Sequence, residues 1–284
     1  MIESKTLNLH NKNGVVYLTF PKLDKHKVCH GFSTRLGGVS TGDQGSMSFS
    51  FTVGDKRENV LENYRIFCEA IGADPKKAVV AYQTHTANIR KVTKEDVGKG
   101  IYKEQDYIDV DGLVTNEPDI LLVTQYADCT PLLFFDPVKK IVATSHGGWR
   151  GTVQEIALKT VEIMVNDYGS KAKDIICAIG PNISKCCYEV DEPVIKEINK
   201  LEYLDKGLCY TEKGDGKYML DLKETNRQIL LRAGIKDENI DIADLCTCCH
   251  SDIFHSHRAT KGKRGTLAAM ICINTPLQNK TIKV

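Results

Sequence analysis

The chain has 284 residues, enough to bury one large hydrophobic core or two modest ones. Its composition, 42% hydrophobic and 26% charged, is that of a soluble globular protein and excludes a disordered or fibrous chain. A formal net charge of +1 gives no global field toward nucleic acid or anionic lipid, and no apolar run approaches the length of a membrane span.

The N-terminal stretch from Met1 to Thr6 lacks the apolar core of a secretory signal, which predicts a cytoplasmic protein. Short runs rich in β-branched residues then predict strands at Val15 to Phe20, Ala78 to Gln83 and Ile120 to Tyr126. Between the first two, Val60, Tyr64, Phe67, Cys68 and Ile71 are spaced as one face of a helix from Asn59 to Ile71, with Gly72 after it. Strands at Leu132 to Phe135 and Ile141 to Ser145 are joined by Asp136-Pro137-Val138-Lys139-Lys140, a hairpin connection. A second helical face runs from Val153 through Ile156, Val161 and Met164 to Tyr168, where Gly169 supplies a stop. A strand at Ile175 to Ile179, a helix at Leu222 to Ala233 and a strand at Leu267 to Ile273 complete the pattern. No linker, low-complexity tract or repeat interrupts it, so residues 1–284 read as one domain of α+β or mixed α/β layered type.

The 11 cysteines are odd in number, and the adjacent pairs Cys186-Cys187 and Cys248-Cys249 argue against a simple disulfide framework. Reduced thiols are expected, with Cys68, Cys177 and Cys272 as small core residues.

Three segments concentrate the chemistry: Gln83-Thr84-His85-Thr86, Ala127-Asp128-Cys129-Thr130-Pro131 and His146-Gly147-Gly148-Trp149-Arg150-Gly151. Their His85, Cys129 and His146 offer two imidazoles and a thiolate, the ligand set of a catalytic zinc site with one position open. Each lies at a predicted strand end, and strand ends can converge on one edge of a sheet. Cys129 alone also reads as buried filler, or as the nucleophile of a dyad with His146. The glycine turn and Arg150 suit an anion, or else form a tight turn with Trp149 as a core plug. Cys246-Thr247-Cys248-Cys249-His250 contains a C-x-x-C that His255 and His257 could close into a structural zinc site. No second C-x-x-C partners it, so packing is the simpler reading. Asp109 and Asp111 read as turn residues, one of which could orient a ligand histidine. Asp128 is a candidate for that role or for proton transfer. Arg35 and Arg258 are solvated charges or anion contacts.

Taken in order, the segments resemble the laccase-domain family, the YfiH/YlmD-like proteins. The likeness also rests on His30-Gly31-Phe32-Ser33-Thr34-Arg35 with Gly37-Gly38-Val39-Ser40, and on Asp111-Gly112-Leu113-Val114-Thr115. It continues through Ile179-Gly180-Pro181-Asn182-Ile183, Cys187-Tyr188-Glu189-Val190, Cys246-Thr247 and Phe254-His255-Ser256-His257-Arg258. The resemblance implies a compact layered α/β/β/α fold with mixed sheets and His85, Cys129 and His146 as ligands of Zn2+, copper being the weaker alternative. It implies phosphorolysis of adenosine, inosine, guanosine and methylthioadenosine, and hydrolytic deamination of adenosine. The expected partners are purine nucleosides and phosphate, with no nucleic acid and no membrane. It also places Cys246 in a family signature rather than in a second metal site. Thr86, Ser48, Tyr64 and Ala259 depart from the family's usual residues. Competing readings are a Cys129–His146 amidase in peptidoglycan-precursor editing, a copper phenol oxidase and a zinc-stabilised scaffold without catalysis.

Overall fold

The computed structural model describes residues 3–274. Its strands are β1 (Asn8–Lys12), β2 (Val15–Thr19), β3 (Cys29–Ser33), β4 (Ala78–Val80), β5 (Ile89–Lys91), β6 (Gly112–Thr115), β7 (Leu121–Tyr126), β8 (Thr130–Asp136), β9 (Ile141–Gly147), β10 (Ile176–Ile179), β11 (Glu189–Asp191), β12 (Tyr210–Gly214), β13 (Lys217–Leu220), β14 (Ile240–Ile242) and β15 (Leu267–Cys272). The helices are α1 (Pro21–Lys25), α2 (Arg57–Ile71), α3 (Trp149–Val153), α4 (Ile156–Asn166), α5 (Glu192–Asn199), α6 (Lys206–Cys209), α7 (Leu222–Arg232) and α8 (His257–Thr260).

Two six-stranded mixed sheets form the centre, in the orders β1-β2-β3-β15-β7-β4 and β14-β10-β8-β9-β6-β5; β11, β13 and β12 make a small third sheet. The strands explain the layering because their faces alternate. In β8, Leu133 and Phe135 enter the core between the sheets, whereas Leu132 and Phe134 enter the core under α4 and α7. In β15, Leu267, Ala269 and Ile271 face the same inter-sheet core, while Ala268, Met270 and Cys272 join Phe67 and Cys68 of α2 in a third core. Helices thus cover the outer face of each sheet, giving the α/β/β/α arrangement. Strands covered on both faces read as continuous apolar runs, which is why β7, β8, β9 and β15 stand out in the sequence. Cys68, Cys177 and Cys272 are buried as expected.

The long helix expected from Val153 to Tyr168 is two helices. Glu155 adopts a left-handed conformation at φ 58°, which ends one helical run and starts α4 at Ile156. Its carboxylate accepts a hydrogen bond from the Tyr203 hydroxyl, which ties the break to the core. No helix among the described residues is long and apolar enough to cross a membrane.

Candidate active site

The two sheets meet at the chain reversal from β7 to β8. Asp128, at φ 88°, makes the turn and presents Cys129 between the sheets. His146 sits near the end of β9, paired with Pro131 of β8. His85 follows β4 through a bend and itself lies at φ 68°. The three side chains therefore come from both sheets rather than from one sheet edge. The Cys129 Sγ lies 3.9 Å from His85 Nε2, and the ligating atoms of His85, Cys129 and His146 all fall within 4.8 Å of one another.

Asp111 organises this convergence. Its carboxylate is wholly buried and accepts hydrogen bonds from the backbone N–H groups of Thr84, His85 and Thr86 and from the Thr86 hydroxyl. Those bonds hold His85 in a backbone conformation that an L-residue otherwise resists. The same carboxylate lies 2.8 Å from His146 Nδ1. With Nδ1–H donated to Asp111, Nε2 is the ring nitrogen left to a metal, which would displace its proton; a carboxylate commonly orients a metal-binding histidine in this way. Of the two aspartates read as turn residues, Asp111 is thus the one that contacts a histidine of the group. Thr86 supplies two of the donors that hold it.

Electrostatics favour a ligating thiolate. Burial alone would raise the Cys129 pKa, but His146 and His85 outweigh it and hold it down at about 6. His146 is the reverse case: burial would lower its pKa, and Cys129 with Asp111 raises it to about 9. The donor set, the fixed tautomer and the lowered thiol together fit a divalent metal ion. Gly148 fits tightly over the triad. A Cβ there would stand 2.9 Å from His85 Cδ2 and 3.2 Å from the Cys129 Sγ. Its φ of −63° suits any residue, so Gly148→Ala should fold normally yet displace the ligands. We expect metal affinity to fall about tenfold or more, measured by competition with a chromophoric chelator; unchanged affinity would show that the triad tolerates the intrusion.

The triad forms the floor of a cavity of about 790 Å³. Its walls include Phe51, Tyr82, Tyr102, Gln105, Gln125 and Arg264. Tyr82 and Tyr102 are 45% and 46% exposed, so their rings are open to a bound molecule. Arg264 is half-buried; its Nη1 donates to the Gly265 carbonyl and Thr266 hydroxyl, while its buried Nε has no partner. Nothing in Lys263-Arg264-Gly265 distinguishes this arginine in the sequence except its place just before a strand.

The arginines singled out from sequence lie elsewhere. Arg35 donates to the Gly45 and Ser251 carbonyls and ties loops together. Arg258 donates to the Cys187 and Glu189 carbonyls. Arg150 is exposed and stacks on Trp149 at 4.4 Å. None of the three lines the cavity. Asp128 is buried, with one oxygen accepting from the Thr247 hydroxyl and the other from the Arg258 backbone N–H. Each oxygen thus takes part in holding a neighbouring loop in place. Tyr64 is buried, and its hydroxyl accepts from the Gln125 side chain in the cavity wall. Ser48 accepts from the Thr266 N–H, and the Ala259 N–H is capped by Ser256.

A sequence profile described as "Multi-copper polyphenol oxidoreductase laccase" matches residues 29–274. The chain belongs to this laccase-domain family. It is 37% identical over 246 residues to the Bacillus subtilis "Purine nucleoside phosphorylase YlmD", covering 86% of this chain and 88% of that protein. It is 32% identical over 248 residues to a "Purine nucleoside phosphorylase" of Bacteroides thetaiotaomicron, covering 87% and 92%. The crystal structure of YlmD from Geobacillus stearothermophilus superposes with a TM-score of 0.89 at 34% identity, covering 95% of this chain and 99% of the other. The layered fold expected from the sequence is therefore that of the family.

Proposed function

We propose that the protein is a purine nucleoside phosphorylase whose centre takes one zinc ion on His85, Cys129 and His146. The observation that carries this reading is a potential three-ligand metal site on the floor of a cavity with open aromatic walls. Relatives covering most of the chain bear the name of that activity. Zinc is favoured over a multicopper assembly by the histidines. Among the described residues, His85, Cys129 and His146 form the only potential metal group that contains histidine. His30 is tied to the Phe20 N–H and the Val28 carbonyl, and His255 to the Met47 carbonyl and the Gly265 N–H. A multicopper centre needs several further imidazoles.

In the proposed reaction, phosphate oxygen bonds to ribose C1′ as the C1′–N bond breaks. The purine leaves with the bonding electrons and takes up a proton. A zinc ion in the site supplies Lewis-acid stabilisation of developing negative charge. Asp111 keeps the ligand histidines in place for it. Tyr82 and Tyr102 offer their faces to the purine, a contact worth about 1–3 kcal/mol for a stacked base. Arg264 presents an N–H to phosphate from a half-buried position, where a charge-assisted bond is strong. Adenosine deamination and methylthioadenosine phosphorolysis are assigned to the same cavity.

The test is incubation of chelator-free protein with inosine or adenosine, with and without phosphate. Free base plus ribose 1-phosphate is expected, in proportion to bound zinc. Metal-loaded protein that turns over none of these nucleosides would defeat the proposal. Arg264→Gln should raise KM for phosphate about tenfold, the loss of roughly one good ionic hydrogen bond, while metal content stays unchanged. An unaltered phosphate KM would remove Arg264 from the site.

A further inference from the structure

On the far side of the Asp128 turn, four further thiols converge. Cys186 and Cys187 lie in the loop after β10, and Cys246 and Cys249 in the loop after β14. Their sulfurs all lie within 4.8 Å of one another. The Cys186–Cys187, Cys186–Cys249 and Cys187–Cys249 separations are 3.8, 3.5 and 3.4 Å. A tetrahedral ion with Zn–S bonds of about 2.3 Å requires sulfurs about 3.8 Å apart. We propose that Cys186, Cys187, Cys246 and Cys249 bind a second, structural zinc ion as a closed four-thiolate site.

Two features outside the sulfurs suit such a centre. The backbone N–H of Ser184 donates to the Cys246 Sγ at 3.3 Å. A thiolate gains from such donors. The second feature is Lys223, which is buried and whose ammonium donates to the Ala243 and Leu245 carbonyls rather than to a carboxylate. Burial lowers its pKa, and its field acts on Asp221 first, then on Cys246, Asp244 and Cys186. Four thiolates around a divalent ion leave two negative charges, and a buried cation beside them offsets part of that excess. The C-x-x-C of the sequence is closed here by the adjacent pair Cys186-Cys187, not by His255 or His257.

The site clamps the loops that hold the Asp128–Cys129 turn. Ile183 N–H donates to the Asp128 carbonyl, the Thr247 hydroxyl donates to the Asp128 carboxylate, and Asn182 bridges Cys246. Binding releases thiol protons to solvent and involves no oxidant.

The experiment uses full-length Cys129→Ala protein, reduced, stripped of metal and titrated with zinc sulfate, so that the first site cannot report. About one zinc per chain is expected, with an increase in thermal midpoint. Cobalt(II) in its place should give the intense sulfur-to-metal charge-transfer absorption of a four-thiolate centre. Adding Cys249→Ser in the same background should abolish both signals. Because these readouts do not depend on turnover, they stand or fall separately from the phosphorylase reading. The proposal is overturned if the Cys129→Ala protein remains folded, binds no zinc and leaves these thiols freely reactive. A mass lighter by two hydrogens per pair, showing disulfides in protein purified without oxidant, would overturn it equally.

Discussion

Cys129→Ala is expected to lower phosphorolysis by about a thousandfold and to release the metal from the cavity floor. The magnitude follows from the role assigned to the ion: about 4 kcal/mol of charge stabilisation corresponds to roughly three powers of ten in rate. The substitution removes the thiolate that faces both imidazoles, His85 Nε2 at 3.9 Å and His146 beside it. Two histidines alone leave too few ligands for tight binding. The fold should survive, since Cys129 is only partly buried and its neighbours Asp128 and Thr130 keep their own hydrogen bonds to Thr247 and Asn182. Single-turnover rates and metal content, measured on the same preparation, test this. Activity retained within threefold in metal-depleted Cys129→Ala protein would exclude a metal-dependent reaction at this site. Chelation of the wild type should reproduce the loss, and added zinc should restore it; a Cys129–His146 nucleophilic dyad would be indifferent to both.

The strands buried on both faces, β7, β8, β9 and β15, are legible because their sequences are apolar almost throughout. β3 is not, since Cys29-His30-Gly31-Phe32-Ser33 looks like a loop although every residue in it is buried. His30 escapes that expectation by satisfying both ring nitrogens within the backbone. β12 is largely exposed and polar, and β11 has three residues of which only Val190 is buried, so no period marks either. The break at Glu155 is equally hidden, because a non-glycine residue in the left-handed region has no composition signal.

The same contrast holds at the site. His85, Cys129 and His146 are chemically conspicuous wherever they fall in the chain. The arginines could not be ranked, because a guanidinium spent on loop carbonyls, as in Arg35 and Arg258, looks the same in sequence as one left partly free, as in Arg264. The four-cysteine cluster was half visible as a C-x-x-C. Its other half lies 59 residues earlier, between Cys187 and Cys246, a separation that only the fold closes.

Asp111→Asn should impair the site nearly as much as loss of a ligand, and for a different reason. One oxygen accepts from His85 N–H and from His146 Nδ1–H, and the other from Thr84 N–H, Thr86 N–H and the Thr86 hydroxyl. Burial alone would raise this carboxyl's pKa, but His146 and these amides hold it below the ordinary range, so the group is a carboxylate at neutral pH. An asparagine must turn its NH2 toward one set of donors. Facing Thr84 and Thr86, it removes the bonds on either side of His85, which then keeps only its own N–H bond to hold a φ of 68°. Facing His146, it confronts both the His85 N–H and Nδ1–H, and the ring must change tautomer at the expense of the nitrogen proposed to bind metal. A buried donor left unpaired costs about 1–3 kcal/mol. The folded protein is therefore expected to lose about 3 kcal/mol in denaturant unfolding, and metal affinity to fall by about 10–100-fold, as for other carboxylates behind ligand histidines. Thr86→Ala removes the hydroxyl's bonds to Asp111, the Asp109 carbonyl and the Asn88 N–H but leaves the His146 contact intact, and should produce a small fraction of the effect on metal affinity. If Asp111→Asn loses stability but binds zinc as tightly as the wild type, the carboxylate serves the loop alone and the His146 contact is incidental.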